Sequence, residues 1–180
     1  MCIIIREGGL FMKENKNGKF DALEVAAYIV KKMNEEKESL DHLKLQKLLY
    51  FITLEWVREF DSYPYKQATE MWKLGPVIRE VYSEYRTNGY GQISEPATRL
   101  SFEGGGIQFV MYEPANFDEQ EQRLVCGVIQ KFGGKNSFEL VDITHEHEPW
   151  KRNEKEIKSI VKSELEYSFD DFIEASQQVH

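Results

Sequence analysis

Leu43-Lys44-Leu45-Gln46-Lys47-Leu48-Leu49-Tyr50-Phe51 is apolar around most of a helix's circumference, and Ile52, Leu54, Trp56 and Val57 continue the pattern to about Phe60. A helix on a protein surface carries one apolar stripe, whereas a helix that is apolar nearly all round has neighbours on more than one side. The spacing therefore predicts a buried central helix, capped by Ser39 and ended by Asp61-Ser62-Tyr63-Pro64. Its polar residues Lys44, Gln46 and Lys47 form a narrow strip. They either reach solvent beside a groove or bond to carbonyl groups of neighbouring segments.

The flanking segments read as partners for this helix. Asp21, with Glu24 three positions on, has the form of a capping box, and Ala22, Val25, Ala26, Ile29, Val30 and Met33 follow at helical spacing. Tyr65 to Lys73 reads as extended or irregular. Gly75-Pro76 predicts the start of another helix, because proline suits a first helical position, and Val77, Ile78, Val81, Tyr82 and Tyr85 would make its stripe up to Asn88-Gly89. The period then switches to two. Leu100 and Phe102, followed by Ile107, Phe109 and Met111, flank Gly104-Gly105-Gly106 and predict a β-hairpin. Two strands alone are marginal in water, so this hairpin should lie on a helical layer.

Asn116 or Asp118 opens the next helix, with Leu124, Val125, Val128, Ile129 and Phe132 inward and Gly133-Gly134 at its end. Ser137 caps a short helix through Phe138, Leu140, Val141 and Ile143. A loop over Thr144 to Trp150 leads to a charged helix around Ile157, Ile160 and Val161, and Ser168 caps a last one with Phe169, Phe172 and Ile173. The expected fold class is mainly α (α+β), a compact domain of about six to seven helices around the buried central helix with one small β-hairpin.

At 180 residues the chain needs one core, and three Trp, nine Tyr and eleven Phe supply large side chains for it. A net charge of -8 opposes general affinity for nucleic acid, which depends on clustered Lys and Arg. Two cysteines, Cys2 and Cys126, imply no disulfide framework. No apolar run approaches the ~20 residues that span a bilayer, and Ile3-Ile4-Ile5 lacks the basic region of a signal peptide. These features predict a soluble, cytoplasmic protein. Residues 1–20 read as a flexible arm. Arg6-Glu7-Gly8-Gly9 fits a purine-rich ribosome-binding stretch, which makes Met12 the expected start of translation in place of Met1.

Three arrangements suggest chemistry. His145, Glu146, His147 and Glu148 are metal-ligand types, but they lack the spacing of a helical His-Glu-x-x-His pair and would need distant donors such as His42. Cys126 with His145 would need an exposed, activated thiolate, whereas Cys126 sits among apolar neighbours. Gly104-Gly105-Gly106 lacks the ending of a phosphate loop. Trp72-Lys73-Leu74-Gly75-Pro76-Val77 is either core plus helix cap or an aromatic anchor for a partner.

Asp21 to Ile29, Leu43 to Tyr50, Trp72 to Val77 with Val81-Tyr82, and Thr144-His145 with Pro149-Trp150 together resemble the SocA-like antitoxins. This Panacea-domain family includes phage-associated GepA proteins. The resemblance spans residues 21–152 and leaves 153–180 as a C-terminal helical extension packed on the same domain. It implies a mainly helical domain with a small β element, no catalytic residue and no cofactor. It also implies an antitoxin that holds a cognate toxin, encoded by an adjacent gene, or delivers it to a protease complex. The expected contact residues are Lys47, Tyr50, Trp72, Lys73, Gly75, Pro76, His145 and Trp150. The competing readings are a metal-dependent hydrolase using His145, Glu146 and His147, and a phage or prophage regulatory protein, for which nucleic-acid binding suits the charge poorly.

Overall fold

Asp41, not Ser39, caps the central helix in the computed structural model, which describes residues 18–102, 106–159 and 165–178. The Asp41 side chain accepts from the Lys44 N–H at 2.8 Å, and its other oxygen accepts from the Ser137 hydroxyl. The Ser39 carbonyl is taken by the Lys44 ammonium at 2.8 Å. This helix, α2 (His42–Phe60), is buried at every residue from Leu43 to Val57 except Glu55. It ends where Asp61 turns left-handed at φ 49°.

Around α2 stand α1 (Ala22–Glu35), α3 (Arg79–Tyr85), α4 (Glu119–Phe132), α5 (Ser137–His145), α6 (Glu148–Ser159) and α7 (Phe169–Ser176). Local chemistry explains most of their starts. Asp21, Asp118 and Ser168 cap α1, α4 and α7, each with the acidic residue three positions on bonding back to the cap N–H. At α5 the cap is Asn136 in place of Ser137, because the Ser137 hydroxyl is committed to Asp41. Thr144 to Trp150 is no loop. It contains the end of α5 and the start of α6, with Pro149 in the first turn, where its missing N–H costs nothing.

The core is aromatic. Phe51 of α2 stacks on Phe132 of α4 at 4.0 Å, and Trp56 meets Phe20 and Phe60. Tyr50 packs against Tyr167 and Phe172, while Arg152 of α6 pairs with Asp171 and Glu174 of α7.

Two antiparallel strand pairs complete the described fold. One, unanticipated from sequence, joins β1 (Glu70–Trp72) to β2 (Gly75–Val77), with Trp72 opposite Gly75 and Met71 opposite Pro76. Gly75-Pro76 therefore opens a strand and not a helix, and α3 begins only at Arg79. The other is the expected hairpin, β3 (Thr98–Ser101) with β4 (Gln108–Met111), pairing Leu100 with Phe109.

Its orientation differs from expectation. The Tyr85 hydroxyl accepts from the Ala97 N–H at 2.8 Å, and the Tyr112 N–H donates to the Ala97 carbonyl, which ties the hairpin base to the core. Side chains alternate along a strand, so with Ala97, Ser101 and Tyr112 turned inward, the apolar set from Leu100 to Met111 turns outward. Residues 1–17 of the expected arm, the start at Met12, Gly104-Gly105 and the Ile160-Val161 part of the charged helix lie outside the described residues; at the end of the expected arm Phe20 is buried, and its N–H donates to the Pro64 carbonyl at 3.0 Å.

Candidate functional site

The polar strip of α2 explains why Gly75-Pro76 is extended. The Gln46 amide accepts from the Ile78 N–H at 2.8 Å and donates to the Ile78 carbonyl at 3.4 Å, which holds both backbone polar groups of that residue. The Lys47 ammonium, fully buried, donates to the Pro76 carbonyl at 3.0 Å. Lys44 reaches the Gly133 carbonyl at 2.9 Å. The strip thus bonds to carbonyls of neighbouring segments and does not line a solvent groove. Gly75 has φ +89°, and a Cβ there would come within 2.5 Å of the Thr144 hydroxyl and 3.1 Å of Lys47. Only glycine fits this position without strain.

Trp72 is held half-buried on the strand opposite. Its indole N–H donates to Glu70 at 2.7 Å, and Glu70 also accepts from the Arg79 guanidinium, which lies over the indole. The Trp72 carbonyl accepts from the Trp150 indole at 3.1 Å, and Trp150 stacks on His145 at 3.6 Å. The structure thus brings Lys47, Trp72, Gly75, Pro76, His145 and Trp150 into one connected network. Tyr50 lies apart from it, sharing a hydrogen bond of 2.9 Å with Nδ1 of His147.

Of the expected contact residues, Lys47, Tyr50, Gly75, Pro76 and Trp150 are buried beneath the surface. Lys73 is exposed, and Trp72 and His145 are half-exposed. From Trp72 a ribbon of rings runs over the surface. Trp72 meets Tyr82 at 4.9 Å, Tyr82 meets His42 at 5.8 Å, His42 meets Tyr90 at 6.2 Å and Tyr90 meets Phe138 at 6.3 Å. Tyr90 is 70% and Phe138 54% exposed. His42, Tyr90 and Phe138 went unrecognised as a surface group in the sequence. In the sequence Phe138 reads as one of the apolar residues of α5, with Leu140, Val141 and Ile143, and Tyr90 follows the α3 stripe without belonging to it.

The metal-ligand types diverge. His145 stacks on Trp150, Glu146 pairs with Lys151 at 2.8 Å, His147 is buried against Tyr50, and Glu148 is exposed. Among the described residues, no group of three or more His, Cys, Asp or Glu converges to hold an ion. Nor do Cys126 and His145 form a pair, since the Cys126 sulfur lies 3.5 Å from the Tyr28 hydroxyl.

Burial pushes the His147 pKa down to about 4, from 6.5 for the free group. Between those values the unfolded chain binds the proton and the folded one does not, so stability falls as pH drops through this window. The loss should reach about 3 kcal/mol by about pH 4. His147→Gln is expected to remove that acid-dependent loss, as read by urea unfolding at a series of pH values. An unchanged acid slope would mean that other groups cause it.

These features define a mainly helical domain that uses buried polar side chains of one central helix to fix a small, ring-bearing surface. The chain belongs to the antitoxin SocA-like, Panacea domain family, whose model matches residues 45–151. The match begins within α2 and runs through both strand pairs into the first turn of α6. No curated protein and no solved structure matches the chain. No described helix is long and apolar enough to cross a membrane.

Proposed function

We propose that this protein is a cytoplasmic antitoxin that neutralises a cognate toxin by binding it, with Trp72, Tyr82, His42, Tyr90 and Phe138 as the contact ribbon and Lys73, Leu74 and His145 beside it. The family suggests a binding role in place of catalysis. The observation that carries the surface is a row of part-exposed rings seated on a rigid buried helix, because aromatic anchors on ordered scaffolds supply most of the energy in protein interfaces. Residues 21–152 form the binding domain in this reading, and 153–180 extend it. Delivery of the captured toxin to a protease would use the same contact.

The test is co-expression with the product of the adjacent gene, followed by growth and pull-down assays. Wild type should relieve toxicity and form a complex. The combined Trp72→Ala and Tyr90→Ala variant should bind roughly 30-fold more weakly or worse, about 2 kcal/mol for a hot spot. Failure of the wild type to relieve toxicity or form a complex sinks the antitoxin reading. Undiminished binding by a folded double variant sinks only the ribbon.

A further inference from the structure

The β3–β4 hairpin turns Leu100, Phe102, Ile107, Phe109 and Met111 to solvent, each between 50% and 75% exposed. Single exposed apolar residues are ordinary, but five large ones on one face of a two-stranded sheet are not, since contiguous apolar patches mark interaction sites. The register places Leu100 beside Phe109, with Met111 opposite Thr98, so these side chains share one face.

Met111 also lines a cleft of about 380 Å³ between the hairpin base and α1, with Lys31, Glu35, Glu95, Pro96 and Glu113 on its walls. The apolar face and the cleft are therefore continuous. Three carboxylates face one lysine there. Glu35 is paired with Lys32 at 2.7 Å, whereas Glu95 and Glu113 have no ion-pair partner among the described residues. The chain as a whole is acidic, at -8.

We infer that this hairpin face and its acidic cleft form a docking surface for a polypeptide segment of a partner protein, one that carries apolar side chains flanked by lysine or arginine. The apolar groups cover the Leu100–Phe109 face, and the cation enters the cleft beside Glu95 and Glu113. A second copy of this chain suits the surface poorly, because two-fold pairing would bring the Glu95 and Glu113 carboxylates of both molecules to the same interface. The inference stands on hairpin and cleft alone and does not require that the protein neutralise a toxin.

The test uses the full chain and fluorescence anisotropy with a short labelled peptide of alternating isoleucine and threonine, matched to the strand repeat and bracketed by lysines. A counterpart bracketed by glutamates serves as control. The lysine peptide should bind about tenfold more tightly than the control or better, and salt should weaken it. Ile107→Thr with Phe109→Thr, and separately Glu95→Lys with Glu113→Lys, should each weaken binding about tenfold or more, while Tyr90→Ala leaves it unchanged. All four substituted side chains are exposed, and an unaltered melting profile verifies folding.

Absent binding, equal binding of the two peptides, or indifference to either substituted pair overturns the inference. So does each rival occupant. A dimer in light scattering that Phe109→Thr converts to monomer assigns the face to a second copy. A peptide that binds only after Ile4→Glu assigns it to the chain's own first residues.

Discussion

Between pH 7 and about pH 10 the folded protein is expected to gain about 4 kcal/mol of stability from one side chain, and Lys47→Met to abolish that gain. Burial lowers the Lys47 pKa from 10.5 to about 7. Below that value both folded and unfolded chains hold the proton, and the full cost of a buried ammonium is present. As pH rises towards 10.5 the unfolded chain still binds the proton while the folded one has released it. The unfolded state then holds more protons, and stability climbs.

Methionine has similar length, fills the same space and never charges. It leaves the Pro76 carbonyl without its donor, at about 1–3 kcal/mol, which offsets part of the benefit near neutrality. The variant should therefore be about 1–3 kcal/mol more stable than wild type at pH 7 and no more stable than wild type at about pH 10. Higher pH confuses the comparison, because burial raises the pKa of Tyr65 and Tyr85 to about 12. Stability that depends on their protonated form is lost as pH rises from their ordinary value near 10 through 12. Urea unfolding from pH 7 to 10 reads the effect, and parallel slopes for the two proteins would refute it.

Phe51→Ala is expected to cost about 3–5 kcal/mol, a large share of the roughly 5–15 kcal/mol that holds a domain folded. Phe51 has no exposed surface and stacks on Phe132 with only 7° between the rings, while Tyr50 and His147 close on it from other sides. Such a site cannot collapse to fill the void, because its walls are rings fixed by other contacts. Phe138→Ala is the control: the same chemical change on a 54% exposed residue should stay within about 0.5 kcal/mol. A Phe51 cost under about 1 kcal/mol would mean that α2 does not pack on α4 as described.

The helices were largely legible because their signals are local. Asp21 with Glu24, and the apolar run from Leu43 to Val57, act through neighbours three or four positions away. Caps were misread where a distant residue competes for the side chain, as Asp41 does for Ser137. The candidate site was legible only in part. Trp72 and His145 stand out in the sequence and lie in one network with Trp150, whereas the burial of Lys47, Tyr50, Gly75, Pro76 and Trp150 depends on segments far away in the chain. The ring ribbon joins side chains from α2, β1, α3, the segment at Tyr90 and α5, and no short window of sequence contains it.

By itself the sequence determined that α2 would be central, since a helix apolar on nearly every side must be surrounded to leave water. Only the tertiary structure decided that Gly75-Pro76 would be a strand. Proline's restricted φ serves either conformation, and the choice fell to Gln46 and Lys47, buried donors and an acceptor on another helix that find their partners in extended backbone alone. The hairpin's outward apolar face was decided the same way. Its alternation specifies two faces, but the tie between Tyr85 and Ala97 selects which one meets water.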